Sequence, residues 1–241
     1  MEEIRIAYIG FSERFILSLL NHPFLKLTAI ITQEGRLPDS AIAAFHKLGI
    51  NMRVITGKSD LSRIPEWLET KNVLMYDFGM ILPREITQSH CICNVHPGSL
   101  ISNRGAHPIG RSILNGENST CLSLHKIDQR VDLGLLIATY EIPIYGCDDT
   151  LSVEQRLFEG MPYILDEYIA FLDGRRQGEI INDGIYYPKI KQNDYTIDPD
   201  NDTMEIIDRK IRSQKASRGA ILETKSYRFY VTSVDKIDNG E

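Results

Sequence analysis

Two polar side chains end an apolar run near the middle of the chain. Asn94 and His96 stand two residues apart, and Pro97 follows directly. In an extended chain, residues i and i+2 project to the same side, and Pro97 favours an extended conformation at His96. An amide that donates a hydrogen bond, beside an imidazole that can carry a proton, is suited to stabilising a developing oxyanion. The structural alternative is that Asn94 caps the strand and His96 packs against the next loop.

A second polar segment carries two carboxylates four residues apart, Asp128 and Asp132, with Gly134 close behind. Asp132 could orient an imidazole and favour its protonated form by charge pairing. A solvated loop with Asx turns is the alternative interpretation. Spacing alone does not bring Asp132 to His96, so the scaffold has to position them.

The first hundred residues alternate short apolar runs with amphipathic stretches. This alternation is typical of βα units, so it predicts an α/β chain with a doubly wound, Rossmann-like parallel sheet. Functional residues of such sheets lie at the carboxyl ends of the strands. Ser12 is expected to cap the first helix. Strands are predicted at 4–9, 27–31, 52–55, 73–76 and 91–95, with further helices at 40–48 and 64–69.

The rest of the chain adds elements of both types. The patterns predict a short helix over 108–116, strands over 120–125 and 135–144, and one long helix from about 149 to 174. The composition then changes near residue 183. We therefore expect a main domain over residues 1–183 and a C-terminal tail over residues 184–241. The tail is predicted to hold a loop over 194–202, a short helix over 204–211 and a β-hairpin over 220–224 and 228–234.

Composition excludes several classes of protein. The 241 residues are 42% hydrophobic and 25% charged, which is ordinary for a soluble globular chain. A net charge of −6 argues against a protein whose main task is binding phosphate backbones. The sequence shows neither a signal peptide nor a long apolar stretch, so we expect a cytoplasmic protein without a membrane segment. The four cysteines are interpreted as buried small hydrophobic residues, and the histidine spacing predicts no metal site.

Several motifs in a fixed order resemble the formyltransferase family that uses N10-formyltetrahydrofolate. The resemblance is strongest over residues 73–144. Within that family, the chain most resembles the sugar-nucleotide N-formyltransferases. The motifs are Phe78-Gly79-Met80-Ile81-Leu82-Pro83, Asn94-x-His96-Pro97, Ser99-Leu100, Arg104-Gly105-Ala106-x-Pro108, Ile113-Leu114-Asn115-Gly116, and Asp128, Asp132 and Gly134.

The resemblance implies a catalytic trio of Asn94, His96 and Asp132 in the main domain. It implies formyl transfer from N10-formyltetrahydrofolate to an amine through a tetrahedral oxyanion, without a metal. Asn94 and His96 would stabilise the oxyanion, and Asp132 would assist proton transfer. The formyl donor would lie between two loops, one of which carries Asp128 and Val131. The other loop consists of Phe78, Gly79, Met80, Ile81 and Leu82.

The acceptor implied by the resemblance is the amino group of a nucleotide-linked amino-dideoxysugar. The best guess is a 4-amino-4,6-dideoxysugar linked to dTDP or UDP, an intermediate of surface polysaccharide. Glu13 stands where the ribonucleotide enzymes of the family carry a glycine-rich phosphate loop, so glycinamide ribonucleotide is a poor candidate. The residues expected to contact the acceptor are Ser12, Arg104, Gly105, Lys189 and Arg212.

The tail carries the features that distinguish the remaining alternatives for the acceptor and the partner. The segment from Glu205 to Arg228 contains seven basic and three acidic residues. This local positive charge suits a nucleotide diphosphate better than tRNA. The terminal hairpin predicts a homodimer, since apolar hairpins tend to pair. We expect no nucleic-acid partner. The alternatives are a methionyl-tRNA formyltransferase-like enzyme with a shortened C-terminal domain, a formyltetrahydrofolate hydrolase, and a non-catalytic folate-sensing module.

Overall fold

The computed structural model of the chain describes residues 2–127 and 134–234. By its internal contacts the chain forms two compact units. The first unit comprises Met1–His96, Ser123–Thr139 and Met161–Asp183, and the second comprises Pro97–Leu122, Tyr140–Gly160 and Gly184–Glu241. The predicted division at residue 183 into a domain and a tail stays a prediction. In the part of the chain that is described, no helix has the length and apolar character needed to cross a bilayer.

The chain alternates strands and helices along most of its length. The strands are β1 Ile4–Gly10, β2 Leu25–Gln33, β3 Asn51–Ile55, β4 Asn72–Tyr76, β5 Cys91–His96, β6 Arg104–Gly105, β7 Ser119–Ile127, β8 Gly134–Pro143, β9 Glu179–Ile181, β10 Tyr186–Tyr187, β11 Thr196–Ile197, β12 Ala220–Glu223 and β13 Arg228–Val231. The helices are α1 Glu13–Leu20, α2 Asp39–Lys47, α3 Ile64–Trp67, α4 Arg84–Ser89, α5 Pro108–Asn115, α6 Thr150–Glu159, α7 Met161–Leu172 and α8 Met204–Ser213. Two 3₁₀ turns cover Lys58–Arg63 and Gln192–Tyr195.

The main sheet has the strand order β3-β2-β1-β4-β5-β7-β8-β9. Strands β1 to β5 pair in parallel, whereas β7 runs antiparallel to β5 and β9 runs antiparallel to β8. The prediction of an α/β fold with a parallel-dominated sheet is therefore confirmed. Because the chain order reverses between β1 and β4, the carboxyl ends of these two strands form a topological switch point.

Local signals for the first helix are confirmed in detail. The Ser12 hydroxyl accepts a hydrogen bond from the Phe15 backbone N–H at 3.2 Å, which satisfies one of the free amides at the start of α1. Phe15, Ile16 and Leu19 are buried on one face of this helix. The helix thus begins at its cap and is held by its apolar stripe.

The long helix predicted from about 149 to 174 is wrong, because the structure has two helices there. Helix α6 ends at Gly160, and α7 starts immediately afterwards with Pro162 in its first turn. Proline lacks the N–H needed in a helix interior but fits a helix start. A side chain at Gly160 would also collide with the Tyr140 ring, whose nearest atom would lie 2.1 Å from an added Cβ.

The C-terminal hairpin is present as predicted and belongs to a three-stranded sheet with the order β11-β12-β13. Strands β12 and β13 are antiparallel, and β11 adds in parallel to β12. Helix α8 contributes Ile211 to a small core with Ile197 and Ala220. The tail region therefore has its own apolar centre.

Candidate active site

The switch point at the carboxyl ends of β1 and β4 is built for close backbone approach. Gly10 has φ +156°, and a Cβ there would lie 2.0 Å from the Tyr76 carbonyl oxygen, so only glycine fits. The Tyr8 hydroxyl donates to that carbonyl at 2.9 Å and accepts from the Ser12 N–H at 3.1 Å. Burial raises the pKa of Tyr8 far above its usual range, which keeps the hydroxyl neutral as a donor. The turn after β1 is thereby fixed to the end of β4.

Asn94 and His96 close β5 at the same edge of the sheet. Asn94 is half-buried and His96 is buried at 5% exposure. The two-residue period of the strand puts both side chains on the face that carries Ile92. Ile92 belongs to the apolar cluster of the first unit. The structure therefore gives the amide and the imidazole the common face that their spacing predicts.

His125 is a neighbour of Asn94 that the sequence analysis missed. It lies directly opposite Asn94 in the antiparallel pair of β5 and β7, and it is 1% exposed. Nδ2 of Asn94 is 3.2 Å from Nε2 of His125, so the amide N–H can donate to the ring nitrogen. This contact fixes the amide of Asn94. The signal for it was a histidine inside an apolar strand, although the register of the pair is not readable from spacing.

The loop after β4 presents apolar side chains at the same edge. Phe78, Met80 and Leu82 are partly buried against the cluster that contains Ile92, whereas Ile81 is 75% exposed. The Gly79 N–H donates to Oε1 of Gln33 at 3.1 Å, which ties the loop to β2. A partly covered apolar surface held by backbone contacts suits a flat ring system. The loop therefore offers a partly covered apolar surface at this edge of the sheet.

Three residues of the predicted site, Asp128, Val131 and Asp132, lie outside the described residues. Their expected roles in proton transfer and donor binding stay predictions. Among the residues that the structure does describe, no group of three or more His, Cys, Asp and Glu side chains is placed to hold a metal ion.

Three of the residues predicted to contact the acceptor have structural roles. Ser12 caps α1 with its hydroxyl. In the second unit, Nη2 of Arg104 donates to the carbonyl of Gly184, and β6 pairs in parallel with β10. Gly105 has φ +100°, and a Cβ there would lie 2.1 Å from the Tyr187 carbonyl oxygen. Arg104 and Gly105 thus join two distant segments of the chain within the second unit.

The two remaining basic candidates differ in their surroundings. Nε of Arg212 bonds Oδ2 of Asp208 at 2.6 Å, and its Nη1 bonds the Asp148 carbonyl at 2.7 Å. The Arg212 side chain is only 17% exposed. Lys189 is exposed on the surface of the second unit. Lys189 is therefore the more accessible of the two cations.

The comparison with protein families found a match for the middle part of the chain. Residues 50–167 match a family described as formyl transferase. The chain is accordingly an enzyme of the transferase class that moves a formyl group. This match to the formyl transferase family covers about half of the chain.

Known proteins of this kind differ in what they act on. The methionyl-tRNA formyltransferase of Dictyoglomus turgidum is 28% identical over 88% of this chain and 70% of its own length. The X-ray structure of a sugar N-formyltransferase from Shewanella sp FDAARGOS_354 matches with TM-score 0.76 and 17% identity, over 97% of this chain and 98% of that one. HypX from Aquifex aeolicus, solved in complex with tetrahydrofolic acid, matches with TM-score 0.70 and 15% identity, over 92% of this chain and 36% of that one. These structures share the fold of the chain.

Proposed function

We propose that the enzyme transfers a formyl group from N10-formyltetrahydrofolate to the amino group of a nucleotide-linked amino-dideoxysugar. The observation that carries the proposal is the pair Asn94 and His96 on one face at the end of β5, with the Asn94 amide fixed by His125 at 3.2 Å. A fixed donor at the site of a developing charge needs no reorganisation during the reaction.

The chemistry follows from the properties of these groups. The free amine attacks the formyl carbon, a new C–N bond forms, and the carbonyl oxygen gains negative charge. An amide nitrogen carries two N–H donors, so Asn94 can satisfy His125 with one and the oxyanion with the other. His96, protonated, adds charge stabilisation. The bond from the formyl carbon to N10 of the folate then breaks, and the proton lost by the amine passes to N10 with the help of Asp132.

The donor site is supported by the loop after β4. Its partly buried Phe78, Met80 and Leu82 offer apolar contact to the pterin, and the exposed Ile81 can close over it. The tetrahydrofolate bound to Aquifex aeolicus HypX, a protein of the same fold, supports this assignment. Asp128 and Val131 are proposed as further donor contacts.

The sugar-nucleotide acceptor is favoured over tRNA by charge and by fold. The net charge of −6 gives little attraction for a polyanion. The fold of the Shewanella sugar N-formyltransferase matches the fold of this chain over 98% of the Shewanella protein. We propose a dTDP- or UDP-linked 4-amino-4,6-dideoxysugar as the acceptor.

A methionyl-tRNA formyltransferase-like activity is the second candidate, because the Dictyoglomus relative carries that name. If tRNA is the substrate, its affinity for the enzyme should fall steeply as the salt concentration rises, because binding releases several counterions from the phosphate backbone. The proposed sugar-nucleotide enzyme would bind its acceptor with a shallow salt dependence.

The same proposal includes a homodimer through the hairpin. Strand β13 is an edge of its sheet, and Tyr227, Phe229 and Tyr230 are 70%, 48% and 49% exposed. Exposed aromatic side chains on or next to an edge strand favour pairing with another chain. Sedimentation at micromolar concentration should show a dimer that Phe229→Lys weakens, and a stable wild-type monomer would contradict this part.

The central experiment is an assay of tetrahydrofolate release and product mass with a panel of dTDP- and UDP-linked 3-amino and 4-amino dideoxysugars. We expect one sugar nucleotide to gain one formyl group. His96→Asn should lower the rate of formylation at least about a hundredfold. The substitution His46→Asn, at an exposed histidine, should leave that rate unchanged. Formylation of a charged initiator tRNA, with the sugar panel silent, would favour the second candidate.

A further inference from the structure

Helix α5 in the second unit begins with two side chains that can carry positive charge one turn apart. His107 precedes the helix with φ 59° and ψ 46°, a left-handed conformation that few side chains adopt. Arg111 follows four residues later, and its N–H bonds the His107 carbonyl at 2.9 Å. Residues four apart lie on the same side of a helix, so the imidazole and the guanidinium share one face.

Arg111 is held in place by two contacts from the tail. Its guanidinium carbon lies 5.1 Å from the centroid of the Tyr187 ring, and its Nη2 is 3.2 Å from Oδ2 of Asp194. The same carboxylate oxygen accepts the Lys191 N–H at 2.8 Å. A guanidinium fixed by an aromatic face and a carboxylate is preorganised for planar recognition of oxygen anions.

Lys189 adds a third cation two residues after Tyr187. Its side chain is exposed and makes no ion pair with any residue in the two described ranges. Partial burial, followed by the positive charges of Lys189 and Arg111, lowers the pKa of His107. The stack of Tyr187 on Arg111 brings the segment that carries Lys189 to the start of α5, and Asp194 pairs with Arg111.

We propose that His107, Arg111 and Lys189, here called the basic cluster, bind the diphosphate of a nucleoside diphosphate. The assignment rests on the proposed function, whose acceptor carries such a group, and names the chemistry that recognises it. Like charges gathered on one face repel one another, and a bound dianion relieves that repulsion. Arginine offers paired N–H donors to phosphate oxygens, and lysine supplies a point charge. The N-terminus of α5 adds partial positive charge beside His107.

The basic cluster does not include Arg212, whose predicted contact with the acceptor stays a prediction. Nε and Nη1 of Arg212 bond Asp208 and the Asp148 carbonyl. Lys189 keeps its exposed ammonium. The nearby Lys191 is an equally exposed lysine of the same segment. Lys191 therefore serves as a matched control for Lys189.

The test is calorimetric titration of the full chain with UDP, dTDP and inorganic pyrophosphate, without a formyl donor and at one ionic strength. We expect wild type to bind a nucleoside diphosphate and pyrophosphate to compete for the site. Lys189→Gln should raise the Kd about tenfold, the typical effect of losing one charged hydrogen bond, while Lys191→Gln should change it by less than about twofold. His107→Asn keeps a residue that tolerates positive φ and should weaken binding by about threefold.

Turnover measurements separate this inference from the function on which it rests. Lys189→Gln should raise KM for the sugar nucleotide about tenfold with kcat nearly unchanged, because the diphosphate is far from the reacting bond. Equal losses in Lys189→Gln and Lys191→Gln would overturn the basic cluster. So would a wild-type chain that ignores UDP and dTDP, or a nucleotide that pyrophosphate fails to displace. In each case formyl transfer lost in His96→Asn would still support the proposed function.

Discussion

Both units of the molecule bury apolar side chains, but the second unit also buries a carboxylate, that of Asp148. In the first unit, neighbouring parallel strands contribute buried apolar side chains to one cluster, among them Ala7, Ile9, Ile31, Val73 and Ile92. The second unit has a small apolar centre around Ile197, Ile211 and Ala220. It also contains ion pairs that are largely removed from water, such as Asp148–Arg156, with side-chain exposures of 4% and 25%.

Because of this difference, substitutions in the two units are expected to affect different properties. Apolar burial is non-directional and does not depend on pH, so the first unit can hold Asn94 and His96 at a strand end on a rigid base. A buried ion pair is strong only while both partners keep their charge and geometry. We therefore expect substitutions at strand ends to change catalysis, and substitutions of paired charges in the second unit to change stability.

The largest effect is expected at the amide of Asn94. Asn94→Ala removes the proposed donor to the oxyanion and should lower kcat by about 100- to 1,000-fold, as losses of such donors typically do. The free energy of unfolding should fall by only about 1 kcal/mol, from the lost bond to His125. Steady-state kinetics and urea unfolding measure the two effects. Asn118→Ala, at an exposed turn, is the control, and a kcat loss below tenfold in Asn94→Ala would contradict the assignment.

The second-largest effect should come from the ion pair of the second unit. The Asp148 carboxylate accepts bonds from the Tyr145 N–H, the Ser152 hydroxyl and both terminal nitrogens of Arg156. Asp148→Asn leaves Arg156 without its counter-charge and should reduce the free energy of unfolding by about 3 kcal/mol. Urea unfolding provides the measurement.

Asp173→Asn is the matched control for that substitution. Its partner Arg175 is 59% exposed, so the loss should stay below about 0.5 kcal/mol. Equal losses in the two variants would mean that burial of the pair makes no difference, and the contrast between the units would fail.

A pH dependence follows from the same carboxylate. The hydrogen bond from Arg156, above all, lowers the pKa of Asp148 from its ordinary value of 3.8 to about 2. A depressed pKa in the folded state gives stability that is fully present above pH 3.8 and is lost as the pH falls towards 2. The shift corresponds to about 2 kcal/mol. Urea unfolding from about pH 5 down to about pH 2 should therefore cost wild type about 2 kcal/mol more than Asp148→Asn, and parallel curves would contradict this.

The regular part of the fold could be predicted because its signals are local. The strands β1 to β5 follow from alternating apolar runs, and the start of α1 follows from Ser12, whose hydroxyl caps it. The common face of Asn94 and His96 follows from the two-residue period of a strand. The Gly160-x-Pro162 break between α6 and α7 was also a local signal, but the helical spacing of apolar residues on both sides of it concealed the break.

The remaining features depend on contacts between distant parts of the chain. Strands β6 and β10 have two residues each, too few to show a period, although their pairing joins Arg104 and Gly105 to Tyr186 and Tyr187. The engagement of Arg212 with the Asp148 carbonyl needs the folded tail. The partner of Asn94 likewise depends on the register between β5 and β7, which spacing along the chain does not contain.

The smallest effect is expected at that partner, and it tests whether His125 positions the amide. His125→Phe keeps the ring volume but removes the nitrogen that lies 3.2 Å from Nδ2 of Asn94. A freely rotating amide should lower kcat by about tenfold with little change in KM, because only the oriented donor is lost. His125→Gln offers a carbonyl oxygen that can accept the same N–H, so it should recover part of the kcat. Equal loss in both variants, together with lower stability, would mean that His125 only fills the core. The rigid base of the first unit would then not extend to the orientation of the Asn94 amide.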